Sequence, residues 1–185
     1  MTKATGTCPC CFRMIALDGQ LMHRHGYRQP GRGTGYAPIC GGCISVSRFR
    51  PLDESSEGTI YILRIVDEDE KNTRAWLDAL CGGKPGLTID VETIERQVHV
   101  AGRFVVPKRV FGRYTRETWD AYKREHSQYS SWDWDRSIVA NARTRAEARF
   151  AGIQAMRQIA GQKLREFGWT AEAVQAEGVD EAADI

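Results

Sequence analysis

The sequence has no apolar run approaching the roughly 18 residues that a membrane-spanning helix needs, so no transmembrane helix is expected. Its first ten residues, MTKATGTCPC, lack the apolar stretch of a secretory leader. A cytoplasmic location is therefore expected, where thiols stay reduced and clustered cysteines favour metal over disulfides. No internal repeat recurs along the 185 residues. Acidic residues are nearly missing from residues 1–52, where Asp18 stands against seven Lys/Arg and leaves a net +6. Basic residues are missing altogether from the last sixteen, which carry five acids. A second basic stretch, 136–166, has seven Lys/Arg against two acids, and DEDE occupies 67–70. The formal net charge of +2 thus hides a segregated pattern, of the kind that serves contact with a polyanion or with an acidic protein partner.

What the chain has in quantity is patterned cysteine. Cys8 and Cys11 form one CxxC pair, and Cys40 and Cys43, in CGGC, form a second, with 28 residues between the two. Two thiolates three positions apart on a tight turn can reach one metal at about 2.3 Å, and two such knuckles complete a tetrahedron. Gly41 and Gly42 suit the second turn. Four thiolates in a reducing compartment favour one structural Zn2+ per chain over a hard cation. MHRHG places His23 and His25 between the knuckles, and His25 is a rival ligand: Cys8, Cys11, His25 and one of Cys40 or Cys43 make a Cys3His site. Cys10, inside the first knuckle, reads as a packing residue turned away from the metal, and Cys81, in LCGG, as a core thiol at a helix end.

The stretch CPCCF, followed by HRHGYRQPGRG and later cysteines, resembles a group of small phage and mobile-element proteins. These have a CPxCF knuckle, an H-G-Y-x-R-P-G-type loop, one late Cys and a long C-terminal helix ending near a Trp, as REFGW does here. The present chain differs in its YRQPG and in the additional Cys of CGGC. The resemblance implies a phage or plasmid setting in a bacterial host, and the single late Cys and His of those proteins favour Cys3His ligation. It brings no activity with it.

The organisation expected is α+β. A small zinc-ribbon-like module spans 1–56, and an α+β body spans 57–169. An acidic tail at 170–185 has the composition of disordered chain. Ile60, Leu63, Val66, Leu77 and Leu80 recur at three- and four-residue steps and predict a helix over 58–80, stopped by Gly82 and Gly83. The alternating, β-branched stretch LTIDVETIERQVHVAGRFVVPKRVF predicts a β-hairpin turning near Ala101–Gly102. A short helix is predicted over 116–126. A long one starts near Asp133–Arg136 and ends at Gly168, with Val139, Ala146, Ile153, Ala160 and Phe167 seven residues apart. Arg149 and Lys163 interrupt that stripe, so a helical hairpin with the 58–80 helix is expected before a free zipper, although a homodimer through the long helix is open.

Three function classes follow. In the first, the protein binds nucleic acid through its Gly/Arg loop: Arg24, Arg28 and Arg32 meet phosphates and Tyr27 and Tyr36 stack on bases, with little sequence readout. The plain alternative is a solvated loop. In the second it is a protein-binding accessory factor, such as an anti-CRISPR-like inhibitor of a host defence complex, using DEDE, the acidic tail or YSSWDWD. The third, a zinc-dependent nuclease, needs a histidine base and an open metal position; neither His99 nor His126 has an Asp/Asn/His constellation beside it, so a non-enzymatic role is expected and no catalytic residue is assigned.

Overall fold

The computed structural model of the protein describes residues 4–26, 36–38, 43, 47–95 and 108–169. In chain order these form β1 (Thr5–Thr7), β2 (Met14–Asp18), β3 (Leu21–Met22), α1 (Glu57–Cys81), β4 (Ile89–Glu95), β5 (Lys108–Tyr114), α2 (Arg116–Glu125) and α3 (Ala140–Glu166). The α+β class and the long C-terminal helix are as the sequence indicates. Among the described residues, no helix is long and apolar enough to cross a membrane. The hairpin turn near 101–102, His99 and the tail 170–185 lie outside the described residues.

The chain forms two units. One comprises the described residues of Met1–Arg74 and Ala148–Ile185, and the other Ala75–Glu147, so the division cuts both long helices. In the first unit, Cys8, Cys10, Cys11 and Cys43 are buried together with Ile62 and Val66 of α1 and Ile153 and Met156 of α3.

The β1-β2-β3 meander is antiparallel, pairing Thr5 with Ala16 and Leu17 with Met22. It is tied to the segment before α1: Leu52 N–H donates to Thr7 O at 2.8 Å and Thr7 N–H to the Asp53 carboxylate at 3.0 Å. Near the other end of the chain, the Trp169 indole N–H donates to Leu52 O at 2.8 Å. The knuckle in turn rests on the first turn of α1. Thr59 Oγ1 donates to Pro9 O at 2.9 Å, and a Cβ built on Gly58 would lie 2.6 Å from Pro9 Cγ and 3.0 Å from Phe49 Cβ.

Glycine near a helix start ordinarily weakens it, and Ala there would be expected to help by up to about 1 kcal/mol. Here the added methyl meets a rigid ring. Gly58→Ala is expected to destabilise the chain by about 1–3 kcal/mol through overpacking, measured as a lower urea midpoint at unchanged slope. A stabilised variant would refute this packing.

The acidic run is absorbed inside the same unit. Asp67 pairs with Arg157, Asp69 with Arg149 at 3.0 Å, and Glu70 with Arg74 at 2.9 Å and Arg157 at 2.6 Å. Asp69 also accepts the Tyr36 hydroxyl at 2.7 Å. Asp67, Asp69 and Glu70 therefore pair with arginines and link α1 to α3, while Glu68 is exposed and accepts from the Asn72 amide at 3.2 Å.

In the second unit, the alternation of β4 is realised: Ile89, Val91 and Thr93 are buried, whereas Asp90, Glu92 and Ile94 are not. Antiparallel pairing with β5 sets Asp90 opposite Arg113 and Glu92 opposite Phe111. Ion pairs Asp90–Arg113 and Glu92–Arg109, each 3.0 Å, lie on the outer face. The α2 helix begins with a capping box between Thr115 and Thr118 and buries Trp119. A π-helical turn over Trp134–Val139 leads into α3, capped by the Asp133 carboxylate, which accepts the Arg136 N–H at 2.9 Å. That bond holds the Asp133 carboxyl below its ordinary range. Trp134 is buried, as an anchor for this start should be, while Trp132 stays 36% exposed. The seven-residue stripe of α3 is committed to the intrachain core at Ala146, Ile153 and Ala160, leaving Phe167 exposed.

Candidate metal centre

The first knuckle is built by its own backbone. Cys8 N–H donates to Arg13 O at 2.9 Å and Phe12 N–H to Cys8 O at 3.0 Å, closing the turn. Phe12 carries φ of 55° to do so, a left-handed conformation that an L-residue with a Cβ adopts at a cost of about 1–2 kcal/mol. The closed turn aims two more N–H groups inward, from Cys10 and Cys11 to Cys8 Sγ at 3.4 and 3.5 Å. Such bonds favour the thiolate over the thiol.

His25 and Cys43 join this turn. The ligand atoms of Cys8, Cys11, His25 and Cys43 all lie within 4.8 Å of one another, and the three cysteines are buried. Cys11 Sγ is 3.4 Å from His25 Nε2, close to the roughly 3.6 Å edge between thiolate and imidazole in a tetrahedral site. On the far side of the ring, His25 Nδ1 is 2.7 Å from His23 O. A carbonyl can only accept, so Nδ1 carries the proton and Nε2 presents its lone pair to the sulfurs. This is the outer partner that ligating histidines generally have. Cys43 N–H also donates to His25 O at 3.0 Å, which fixes the two late donors to each other.

Cysteine electrostatics point to the same use. Cys11 is held far below the ordinary thiol range because Cys43 and then Cys8 hydrogen-bond to its sulfur, with the Arg13 guanidinium also donating from Nε at 3.4 Å. Cys8 is pushed up, chiefly by its bond to Cys11 and then Cys43; Cys43 is pushed up by its bonds to Cys10 and then Cys11. The sulfurs share protons as one titrating group. A cation among them displaces those protons and satisfies three thiolates together. Three buried sulfurs, an imidazole of the right tautomer and inward N–H groups fit a metal ion with a closed donor shell.

Among the candidate residues, Cys8, Cys11, His25 and Cys43 come together. Cys40, Arg28, Arg32 and Tyr27 lie outside the described residues. Arg24 is exposed beside His25, and Arg13 donates to Gly26 O. Tyr36, expected as an open stacking ring, is 4% exposed: the Arg149 guanidinium covers its face at 5.4 Å while its hydroxyl reaches Asp69. Cys10 is fully buried in the core beside the site and lies outside the four-donor group, as a packing residue should. Cys81, read as a core thiol, is exposed. Comparison of the chain with protein-family models, curated proteins and solved structures gives no match. The centre therefore rests on its own geometry. His126 stacks on Tyr122 at 3.9 Å and its Nδ1 bonds Tyr122 O at 3.0 Å, so it has a packing role. Two contributors escaped the sequence reading, Arg13 and the His23 carbonyl. An arginine two residues after a knuckle cysteine was the available signal for the first.

Proposed function

We propose that the protein is a non-enzymatic zinc-binding accessory factor of a phage or plasmid, whose metal fixes a basic loop for contact with nucleic acid. The observation that carries this reading is the convergence of Cys8, Cys11, His25 and Cys43. Three thiolates and one imidazole suit zinc over hard cations. Together they fill a tetrahedral shell and leave no position for a nucleophilic water, so the metal's role is structural. His25 and Cys43 also bracket residues 26–42, a segment with Arg28, Arg32 and no acid. One metal thereby ties both ends of an arginine-bearing stretch, with Arg24 exposed immediately before it. Guanidinium groups on such a loop supply phosphate contacts that depend on salt rather than sequence. The internal pairing of DEDE with Arg149 and Arg157 argues against an exposed acidic mimic of nucleic acid.

The chain is expected to bind an unstructured DNA or RNA 20-mer at low salt, in fluorescence anisotropy, with a linear fall of log affinity against log salt. Arg28→Ala with Arg32→Ala should weaken binding for all sequences alike and reduce the salt slope by about 1 for each arginine that meets a phosphate. Undetectable binding at low salt, or an unchanged slope in the double variant, would defeat the nucleic-acid part while leaving the metal assignment standing.

A further inference from the structure

Among the described residues, the outer edge of β4 has a stretch without a main-chain partner, bounded at both ends by side-chain contacts. Ile94 N–H donates to the Tyr129 hydroxyl, and Ile94 O lies 3.4 Å from the same oxygen, so the main chain of Ile94 faces away from β5. At the other end, Asp90 O accepts from Arg145 at 3.3 Å, so it faces the same way. In an antiparallel ladder the residues directed outward alternate. The register is unbroken from Ile89↔Tyr114 to Glu95↔Lys108. Glu92, midway between Asp90 and Ile94, therefore also turns its N–H and C=O outward, and neither has a partner among the described residues. An open strand edge of this kind is a template for another chain.

Beside that edge runs a groove of about 270 Å³, lined by Val91, Glu92, Trp132, Ile138 and Arg145 among others. Its floor is apolar, from Val91 and Ile138, both nearly fully buried. Its wall is Trp132, whose ring is set by an edge contact with Tyr129 at 5.4 Å and whose carbonyl accepts the Trp119 indole N–H at 3.1 Å. A partly exposed but fixed aromatic is the kind of anchor that protein partners use. The charges are unequal in their commitments. The Glu92 carboxylate is taken by Arg109 at 3.0 Å, whereas Arg145 reaches only a carbonyl and has no carboxylate partner among the described residues.

We propose that the β4 edge at Glu92 docks an extended peptide segment of a partner protein by strand addition. One peptide residue exchanges two main-chain hydrogen bonds with Glu92, its neighbour inserts a large apolar side chain against Trp132 and Ile138, and an acidic residue next to that one meets Arg145. The spacing follows from the strand. Side chains alternate, so the neighbour of the paired residue falls on the Val91 face, where the groove lies. The Arg145 guanidinium sits at the edge itself, on Asp90 O, so the peptide residue opposite Asp90, about 6.6 Å along at a strand rise of about 3.3 Å per residue, comes within its reach. Main-chain pairing gives affinity and the groove gives selectivity. This surface is separate from the metal centre and does not depend on the nucleic-acid reading.

The test is selection of a random heptapeptide display library on the full chain. Peptides with a large apolar residue adjacent to Asp or Glu are expected to be enriched. A synthetic enriched peptide should lose about tenfold or more in affinity for Glu92→Pro, which removes the outward N–H without touching the ladder. Glu92→Gln should retain binding, because the carboxylate plays no part. Methylating the docking amide of the peptide should produce a similar loss on the unaltered protein, so the conclusion does not hang on how Glu92→Pro folds. Arg145→Gln should erase the preference for the acidic peptide over its amide analogue. Absence of enrichment, or equal binding of the methylated and unmethylated peptides, overturns the proposal.

Discussion

Cys11→Ser is expected to abolish stoichiometric metal binding and to remove the cooperative unfolding transition of the unit that contains the knuckle. Elemental analysis should fall from one zinc per chain to a small fraction, and chelation of the unaltered protein should give the same loss of circular dichroism. The size of the effect follows from coupling. A structural zinc contributes about 10–16 kcal/mol of folding free energy in small peptides, and whole domains are stable by only about 5–15 kcal/mol. Cys11 is central to the set, because its sulfur faces His25 Nε2 at 3.4 Å and accepts from Arg13 Nε at 3.4 Å. Without it, buried thiols and an oriented imidazole remain with no common partner. An unchanged metal content and melting temperature in Cys11→Ser would refute the metal centre.

Companion variants decide the fourth ligand. His25→Ala should lose metal nearly as badly as Cys11→Ser. Cys40→Ser should keep one metal per chain and shift stability by no more than about 0.5 kcal/mol. The opposite ranking would assign the site to both CxxC pairs. Ligands must be deprotonated to bind, so acidification should release the metal in either case.

How much of this was legible in the sequence depends on the reach of each interaction. The knuckle was, since CxxC on a turn is local geometry, and so was β4–β5, whose alternation of Ile89, Val91 and Thr93 with Asp90, Glu92 and Ile94 announces its buried face. The helices were legible to within a residue or two, as α1 at Glu57–Cys81 and α2 at Arg116–Glu125 show against 58–80 and 116–126. Partners distant in sequence were not. DEDE reads as a surface for a protein partner, and nothing local says that Asp67 meets an arginine 90 residues later. Tyr36 looked like an open ring in a glycine-rich loop until Asp69 and Arg149 enclosed it. His25 was legible as the rival ligand, but the backbone carbonyl of His23 that sets its Nε2 toward the sulfurs is not displayed in sequence. The start of the long helix was legible, but that Trp134 is buried there while Trp132 stays partly exposed was not.

That aromatic segment leads to the second large effect, Trp119→Ala. Trp119 is 0% exposed and sits at the centre of the second unit's core. Its ring meets Tyr114 edge-on at 5.3 Å, stacks on Tyr122 at 5.5 Å and approaches Tyr129 at 5.8 Å, while its N–H bonds Trp132 O at 3.1 Å. Truncation should cost about 3–5 kcal/mol, the usual loss for a buried Trp, or roughly 10 °C of melting temperature in a chain this long. Trp119→Phe should cost less, because the ring stays and the main losses are one hydrogen bond and part of the packing. Zinc content should remain at one per chain in both variants, since Trp119 belongs to neither the metal shell nor the core around it. A loss under about 1 kcal/mol would mean that the neighbouring rings collapse into the space. Tyr122 and Tyr114 would then have to re-pack around a cavity the size of an indole. Their present contacts leave little freedom for that: the two rings lie 5.1 Å apart, and Tyr122 is already stacked on His126.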